Sequence, residues 1–283
     1  MTIVWKPMCR RLPRNSLAGL LLGVSALAAP VGMAVPGTRE APNISAVPAN
    51  QLVVAGNACG PVALLNAFRF GNSDWQRPAK ALAGSNDKER ILRIIREIGM
   101  RPSRHAPGHP RWSRRGVSVA DLRDMANEMT LGQYLPPVSG EVLFLDGRET
   151  PQHLLHRVYQ RLATSLTKGL PPVLSLRRYA LRRPKKPGQA AQWVLIDAHF
   201  VTLTAVPRQL DGSARAIAVS YLDPWGGKRC QGSIGIPARP LFADAAGNSS
   251  CLEAVFPQTQ VGENQGPRGE ETVLAVAAAI GRW

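Results

Sequence analysis

The sequence predicts an α+β protein in which N-terminal helices pack against an antiparallel β-sheet. Two observations lead to this fold class. Before residue 170, apolar residues recur at helical spacing in several segments, and from residue 172 onward short apolar or alternating runs are typical of strands. With 283 residues, of which 45% are hydrophobic, the chain can bury a core of the size that such a fold needs.

Four segments are predicted to be helices. The first begins at Cys59, with Pro61 in its first turn, where the missing N–H costs nothing. The second is the amphipathic stretch 87–99. The third follows Ser118, whose hydroxyl can cap it, and the fourth follows Thr150. The sequence therefore places its helices before its strands.

The predicted strands follow these helices. They cover 172–176, 194–206 and 217–222, and the last two alternate apolar and polar residues as an antiparallel sheet with one buried face does. A basic, proline-rich hairpin loop is expected at 182–188. We expect a last short helix in the tail, 270–280.

The N-terminus predicts export. Residues 1–34 have a basic start, an uncharged run from 17 to 29, and small residues that suit cleavage of a signal peptide. The alternative is an uncleaved membrane anchor, since the uncharged stretch approaches the roughly 20 residues that span a bilayer. Both alternatives predict a periplasmic or secreted bacterial protein. Residues 35–50 are expected to be a flexible lead-in, and 51–283 a single domain with a helical insertion at about 72–150.

The chain is strongly basic, with a formal net charge of +16. Two clusters contribute much of it: Arg101, Arg104, Arg111, Arg114 and Arg115, then Arg177, Arg178, Arg182, Arg183, Lys185 and Lys186. Such clusters can attract an anionic surface or polymer, although a solvated basic surface explains them equally. No nucleic-acid-binding motif is present, so we expect no nucleic-acid partner, and we expect a monomer without metal or cofactor.

The cysteines single out one residue. Cys9 lies in the predicted signal, which leaves Cys59, Cys230 and Cys251 in the exported chain. Thiols tend to pair in an oxidising compartment, and an odd number leaves one over. Cys230 and Cys251 flank a short stretch with proline and glycine, which suits a local disulfide. Cys59 would then stay free.

Cys59 is also placed where a thiol is most reactive. At a helix N-terminus, the unpaired N–H groups and the helix dipole favour the thiolate over the thiol. Gly60 leaves room for a substrate backbone to approach, and the N–H of Cys59 points at a developing oxyanion. Cys59 is therefore the predicted nucleophile.

A thiolate nucleophile needs an imidazole partner, and His199 is the best candidate. It lies in an otherwise apolar strand, whereas the other histidines are expected at the surface; these are His105, His109, His153 and His156. The imidazole in turn needs an acceptor. We expect Asp223, at the end of the next strand, to face His199 across an antiparallel pair. Asp197 is the competing acceptor on the strand of His199.

Three segments resemble a known family. The sequence Asn-Ala-Cys-Gly-Pro-Val-Ala-Leu-Leu-Asn from 57 to 66 looks like the nucleophile helix of papain-like cysteine peptidases, and is similar to that of the double-glycine leader peptidases of bacteriocin exporters and their stand-alone bacterial relatives. That family places its histidine and its acid in segments like 199–201 and 222–224. The resemblance implies a papain-like cysteine peptidase fold and a Cys59–His199–Asp223 site.

The resemblance also implies an oxyanion side chain and a reaction. The family's glutamine, expected a few residues before the cysteine, is replaced by Val53, which leaves Gln51 and Asn57 as candidates. The implied reaction is cleavage of a peptide or isopeptide bond through a thioester. One alternative is a γ-glutamylcysteine transpeptidase similar to phytochelatin synthase, acting on glutathione and supported by the pair Asn66-Ala67. A catalytically inactive binding protein on the same scaffold is another.

Overall fold

A computed structural model of the chain provides the fold. It describes residues 37–147, 149–182, 191–239, 241–242, 250–262 and 270–283. The predicted signal peptide or anchor, 1–34, lies outside the described residues, as does most of the predicted basic loop. Among the residues that the structure does describe, no helix combines the length and hydrophobicity needed to cross a lipid bilayer.

In the described residues, ten strands form two sheets. They are β1 (Thr38–Glu40), β2 (Trp112–Ser113), β3 (Gly116–Val117), β4 (Ser139–Val142), β5 (Val173–Arg182), β6 (Gln192–Pro207), β7 (Ala216–Asp223), β8 (Lys228–Gly235), β9 (Leu252–Val255) and β10 (Thr272–Gly281). Strands β2 and β3 make a small hairpin of their own. The other eight belong to one antiparallel sheet.

Five α-helices accompany these strands in the same part of the chain. They are α1 (Cys59–Arg69), α2 (Arg77–Ala81), α3 (Asp87–Arg93), α4 (Val119–Leu131) and α5 (Pro151–Thr167). The predicted starts at Cys59, Ser118 and Thr150 are confirmed, since Ser118 and Thr150 accept a hydrogen bond from the N–H groups of Asp121 and His153. The predicted helix over 87–99 divides at Arg93, beyond which the chain winds as a π-helix.

The large sheet closes on itself, and the prediction of a papain-like helix-on-sheet fold is therefore wrong. Strands β6, β5, β10, β9, β8 and β7 follow one another in a ring, and β7 pairs back onto β6. This ring is a six-stranded antiparallel barrel, to which β1 and β4 are attached through β6 and β10. The five helices of the described residues are short.

The tail explains the error. The predicted helix over 270–280 is wrong, because residues 272–281 form β10, which pairs with β5 along most of its length and also with β9. Every residue of β10 except Thr272 is buried. A strand with neighbours on both sides and on both faces can be uniformly apolar, so this run carries no strand-like alternation.

Two hydrophobic clusters hold the helices to the barrel. One joins α5, through Leu154 and Leu162, to barrel strands that contribute Val201 and Tyr221. The other joins α1 to α3 and α4 and includes Phe200 of β6. Strand β6 thus contacts both groups of helices, since Val201 packs in the first cluster and Phe200 in the second. This double packing fixes the position of His199, which lies between Phe200 and Ala198 in the chain.

The predicted disulfide between Cys230 and Cys251 is not formed in the structure. Cys230 lies on β8 opposite Tyr221, inside the larger cluster. Cys251 packs in a separate cluster with Tyr179 and Val273. The two sulfurs therefore lie in different parts of the core. Burial raises the pKa of both thiols, that of Cys251 to about 12.

The segment expected to be a flexible lead-in, 35–50, contains ordered structure in its described part. Residues 38–40 form β1, which pairs with residues 205–207 of β6. Ala41 and Ala49 are buried, and the N–H of Ala49 donates to the Asn66 side chain at 2.8 Å. This segment therefore connects the barrel to α1.

Candidate active site

The first residue of α1 is Cys59, and its side chain is only 3% exposed. The N-cap residue of this helix is Ala58, which has no side chain that can accept a hydrogen bond. The N–H groups of the first turn therefore have no side-chain cap. The Cys59 thiol donates to Oδ1 of Asn57 at 3.0 Å. The sulfur thus lies at the positive end of the α1 dipole, beside an amide side chain.

Strand β6 brings His199 to this helix. The hydroxyl of Thr202 donates to the carbonyl of Ala63 at 2.8 Å, which fastens β6 to the first half of α1. Phe200 packs in the same cluster as Cys59. His199 is 7% exposed, and the Cys59 side chain lies near enough to its ring to raise the pKa of the imidazole.

Asp223 accepts a hydrogen bond from the imidazole. Nε2 of His199 lies 2.8 Å from Oδ1 of Asp223, the last residue of β7, which leaves Nδ1 for Cys59. The same carboxylate oxygen accepts from the N–H of Trp225 at 2.8 Å. Asp197, the competing acceptor, instead accepts from the N–H of Ala198. Cys59, His199 and Asp223 therefore form a connected chain.

The charge of His199 is set by opposing effects. Burial alone lowers its pKa, but the hydrogen bond to the Asp223 carboxylate, together with the nearby Cys59 side chain, outweighs burial and raises the pKa to about 10. The imidazole therefore keeps its second proton through the neutral range. A charged imidazolium beside a cysteine is the partner that a thiolate needs.

Both oxyanion candidates lie near these residues. Asn57 contacts the Cys59 sulfur directly. Gln51 begins a 3₁₀ turn, Gln51–Val53, and its N–H donates to the carbonyl of Pro224 at 2.9 Å. Its side chain is buried, and Oε1 has no hydrogen-bond partner among the described residues. Asn57 therefore contacts Cys59, and Gln51 contacts the turn that follows Asp223.

Two supporting residues were not predicted from the sequence. Asn50 accepts from Gly226 at 3.1 Å, so its side chain ties the turn after Asp223 to the segment before α1. Trp225 is half-exposed beside Asp223. The sequence carries one signal for this turn, the pair Gly226-Gly227, and both glycines have a positive φ, of 88° and 62°.

The remaining histidines lie elsewhere. His105 is bonded to Asp124 of α4 at 3.0 Å, and His109 is exposed on the same loop. His153 and His156 lie on α5. In the part of the chain that the structure describes, no group of three or more histidine, cysteine or acidic residues is arranged to hold a metal ion.

A small hairpin borders the nucleophile. Strands β2 and β3 pack so closely against Gly60 that a Cβ placed there would lie 2.4 Å from Cγ1 of Val117. The hairpin is also bonded to the residue two before the nucleophile, since Nε1 of Trp112 donates to the carbonyl of Asn57 at 2.9 Å. Gly60 therefore permits this close approach of helix and hairpin.

We expect Gly60→Ala to destabilise the protein by about 1–2 kcal/mol, because overpacking costs about 1–3 kcal/mol and helix propensity returns up to about 1 kcal/mol. Urea unfolding followed by circular dichroism measures this change. Gly132→Ala is the matched control, since Gly132 ends α4 with φ −68° and a Cβ there meets nothing within 4 Å. Equal stability of the two variants would contradict the expected clash.

The chain matches no protein-family model, and searches of curated proteins and of solved structures also find no match. The likeness of its three segments to leader peptidases therefore stays a prediction. What the structure provides is a class of site: a buried cysteine–histidine–aspartate chain, with the cysteine at a helix N-terminus and the other two residues on adjacent strands of a closed barrel.

Proposed function

We propose that this protein is a thiol-dependent hydrolase that cleaves a peptide or isopeptide bond through Cys59, His199 and Asp223. One observation carries the proposal. The buried imidazole of His199 is hydrogen-bonded to the Asp223 carboxylate at 2.8 Å, and it lies near enough to a cysteine at a helix N-terminus for that side chain to raise the pKa of the imidazole. Nucleophile, proton carrier and orienting acid in this order are the parts that acyl transfer needs.

The reaction would proceed in two steps. The Cys59 thiolate attacks the substrate carbonyl, and His199 gives its Nδ1 proton to the leaving amine as the carbon–nitrogen bond breaks. The product of this step is a thioester on Cys59 and a neutral imidazole. His199 then takes a proton from water, whose oxygen attacks the thioester, and the acid is released as the carbon–sulfur bond breaks.

Asp223 and the first turn of α1 support these steps. Asp223 holds the proton on Nε2 of His199, so that Nδ1 is the nitrogen that exchanges protons with substrate and water. The N–H of Cys59 and the side-chain amide of Asn57, which already contacts the sulfur, can donate to the oxyanion. Gln51 is the alternative donor.

We further propose that the reaction takes place outside the bacterial cytoplasm, on the strength of the predicted signal in residues 1–34. The two cysteines outside the site can stay reduced in an oxidising compartment. Cys230 and Cys251 are buried thiols with raised pKa values, which protects both from oxidation.

The proposal predicts an acyl-enzyme. We expect p-nitrophenyl acetate to transfer one acetyl group to Cys59 and then to be turned over, because an activated ester needs no specific pocket. Intact-protein mass spectrometry and fragment mapping detect the thioester, and absorbance follows p-nitrophenol release. Cys59→Ala should lose both signals, whereas Cys230→Ala, which removes a buried thiol, should keep them.

The alternatives give different results. A binding protein would show neither the acetyl group nor turnover above the Cys59→Ala background, which would overturn the proposal. Mass analysis after incubation with glutathione separates hydrolysis of other peptides from transpeptidation, since a γ-glutamylcysteine transpeptidase would release glycine and lengthen the acceptor.

A further inference from the structure

The turn of the β2–β3 hairpin lies beside the nucleophile. Trp112 pairs with Val117 and Ser113 with Gly116, so Arg114 and Arg115 are the two residues of the turn. The turn is fixed to the chain just before Cys59, because the N–H of Asn57 donates to the carbonyl of Arg114 at 3.2 Å. Asn57 in turn accepts from the Cys59 thiol. Two hydrogen bonds thus connect the hairpin tip to the sulfur.

These two arginines differ from Arg101 and Arg111 of the same basic cluster. Arg101 and Arg111 share the carboxylate of Glu128 at 2.6 and 2.7 Å, and their charges are therefore partly neutralised on α4. Arg114 and Arg115 are exposed, as is Arg104, and none of the three has a carboxylate partner among the described residues. Of these three, Arg114 and Arg115 are the ones in the turn that is bonded to Asn57, next to the nucleophile.

Among the described residues, the carboxylate that contacts His199 is already paired. Asp223 is 1% exposed and is bonded to His199, so its charge is compensated inside the protein. A guanidinium presents a planar set of donors that matches a carboxylate, and it stays charged at every physiological pH. An anionic group on the substrate is the ligand that completes this arrangement.

We propose that Arg114 and Arg115 bind a carboxylate of the substrate next to the scissile bond, so that the enzyme acts on acidic acyl donors. This inference rests on the proposed function of Cys59. The arginines act as specificity residues and take no part in proton transfer. They raise the local concentration of an anionic substrate and orient it over the sulfur.

The test uses two small reagents that differ in charge. Iodoacetate and iodoacetamide alkylate the same sulfur, but only iodoacetate carries a carboxylate. The ratio of their rate constants at Cys59, measured by peptide mass mapping at low ionic strength, isolates the effect of charge at the site. We expect Arg114→Gln/Arg115→Gln to lower this ratio about three- to tenfold, and expect added salt to shrink the difference.

A charge-matched variant provides the control. Lys80→Gln/Lys88→Gln removes two positive charges from α2 and α3, which pack beside the far end of α1, where Arg69 bonds Asp87. This variant should keep the wild-type ratio. The rate with neutral iodoacetamide should be the same in all three proteins, because the Arg114 and Arg115 side chains are exposed and these two residues hold the turn through their backbone groups.

The outcomes separate this inference from the proposed function. A reactive Cys59 whose iodoacetate-to-iodoacetamide ratio is unchanged in the arginine variant overturns the carboxylate site and leaves the hydrolase standing. An equal fall of this ratio in the lysine control and in the arginine variant also overturns the carboxylate site, since the ratio then depends on net charge alone. A wild-type Cys59 that reacts no faster than the buried Cys230 overturns the proposed function itself.

Discussion

Replacing His199 with glutamine is expected to lower p-nitrophenyl acetate hydrolysis near neutral pH by about a hundredfold or more. Glutamine can still accept or donate one hydrogen bond, but it carries no charge and moves no proton. The variant therefore loses the cation that stabilises the Cys59 thiolate and the base that activates water for thioester hydrolysis. The measurement is the steady-state release of p-nitrophenol, compared with that of Cys59→Ala.

His109→Gln is the matched control for this experiment, because it makes the same chemical change at an exposed loop position. It should keep the wild-type rate. Circular dichroism and the urea midpoint show whether each variant is folded. A folded His199→Gln protein that retains the wild-type rate would exclude His199 from the reaction, and the proposed mechanism with it.

Replacing Asp223 with asparagine is expected to lower the pKa of His199, so that its titration moves toward acid. In the wild-type protein the Asp223 and Cys59 interactions outweigh burial and raise the pKa of His199 from an ordinary 6.5 to about 10. Without the Asp223 charge, burial and the loss of the charge-assisted hydrogen bond both act to lower this pKa. NMR titration of the histidine rings measures the shift, with His199 assigned from its absence in His199→Gln.

The sign of the accompanying stability change follows from linkage. The pKa of His199 is higher in the folded than in the unfolded protein, so its contribution is fully present below about pH 6.5 and is lost as the pH rises toward 10. We therefore expect Asp223→Asn to cost on the order of 3 kcal/mol near pH 6, measured by urea unfolding. This difference should shrink near pH 10, where the wild-type imidazole also loses its charge.

Asp197→Asn is the control, since Asp197 lies on the strand of His199 but bonds the N–H of Ala198. It should leave the titration of His199 and the urea unfolding curve of the protein close to those of the wild type. If Asp197→Asn shifted the titration and Asp223→Asn did not, Asp197 would be the true acceptor and the 2.8 Å contact with Asp223 would not describe the working site.

The site could be predicted further than the fold because its signals are local. Pro61 and the apolar spacing after it locate the start of α1, and the polar residue within an apolar strand singles out His199. The contacts that complete the site are not local. Asn50 and Gly226, or Trp112 and Asn57, are far apart in the chain, and no pattern in either segment predicts that they meet.

The barrel could not be predicted because its closing strands have weak patterns. Strand β10 is apolar throughout, β8 contains Gly232 within its ladder, and β9 has only four residues. Without these three strands, β5, β6 and β7 give an open sheet, which is what the sequence predicts. The ring depends on pairings such as Val276 with Leu176, which only the three-dimensional structure provides.

The position of β10 in the ring has a consequence for how the protein is made. Cys59, His199 and Asp223 all leave the ribosome before Thr272–Gly281, the strand that joins β5 to β9. A partly folded chain in which β10 has not yet joined the sheet therefore has open edges on β5 and β9, which readily pair with other polypeptides. We expect closure of the ring to be a late and slow folding event, because it joins strands that are far apart in the sequence. We therefore expect the protein to be most prone to aggregation before β10 has closed the barrel.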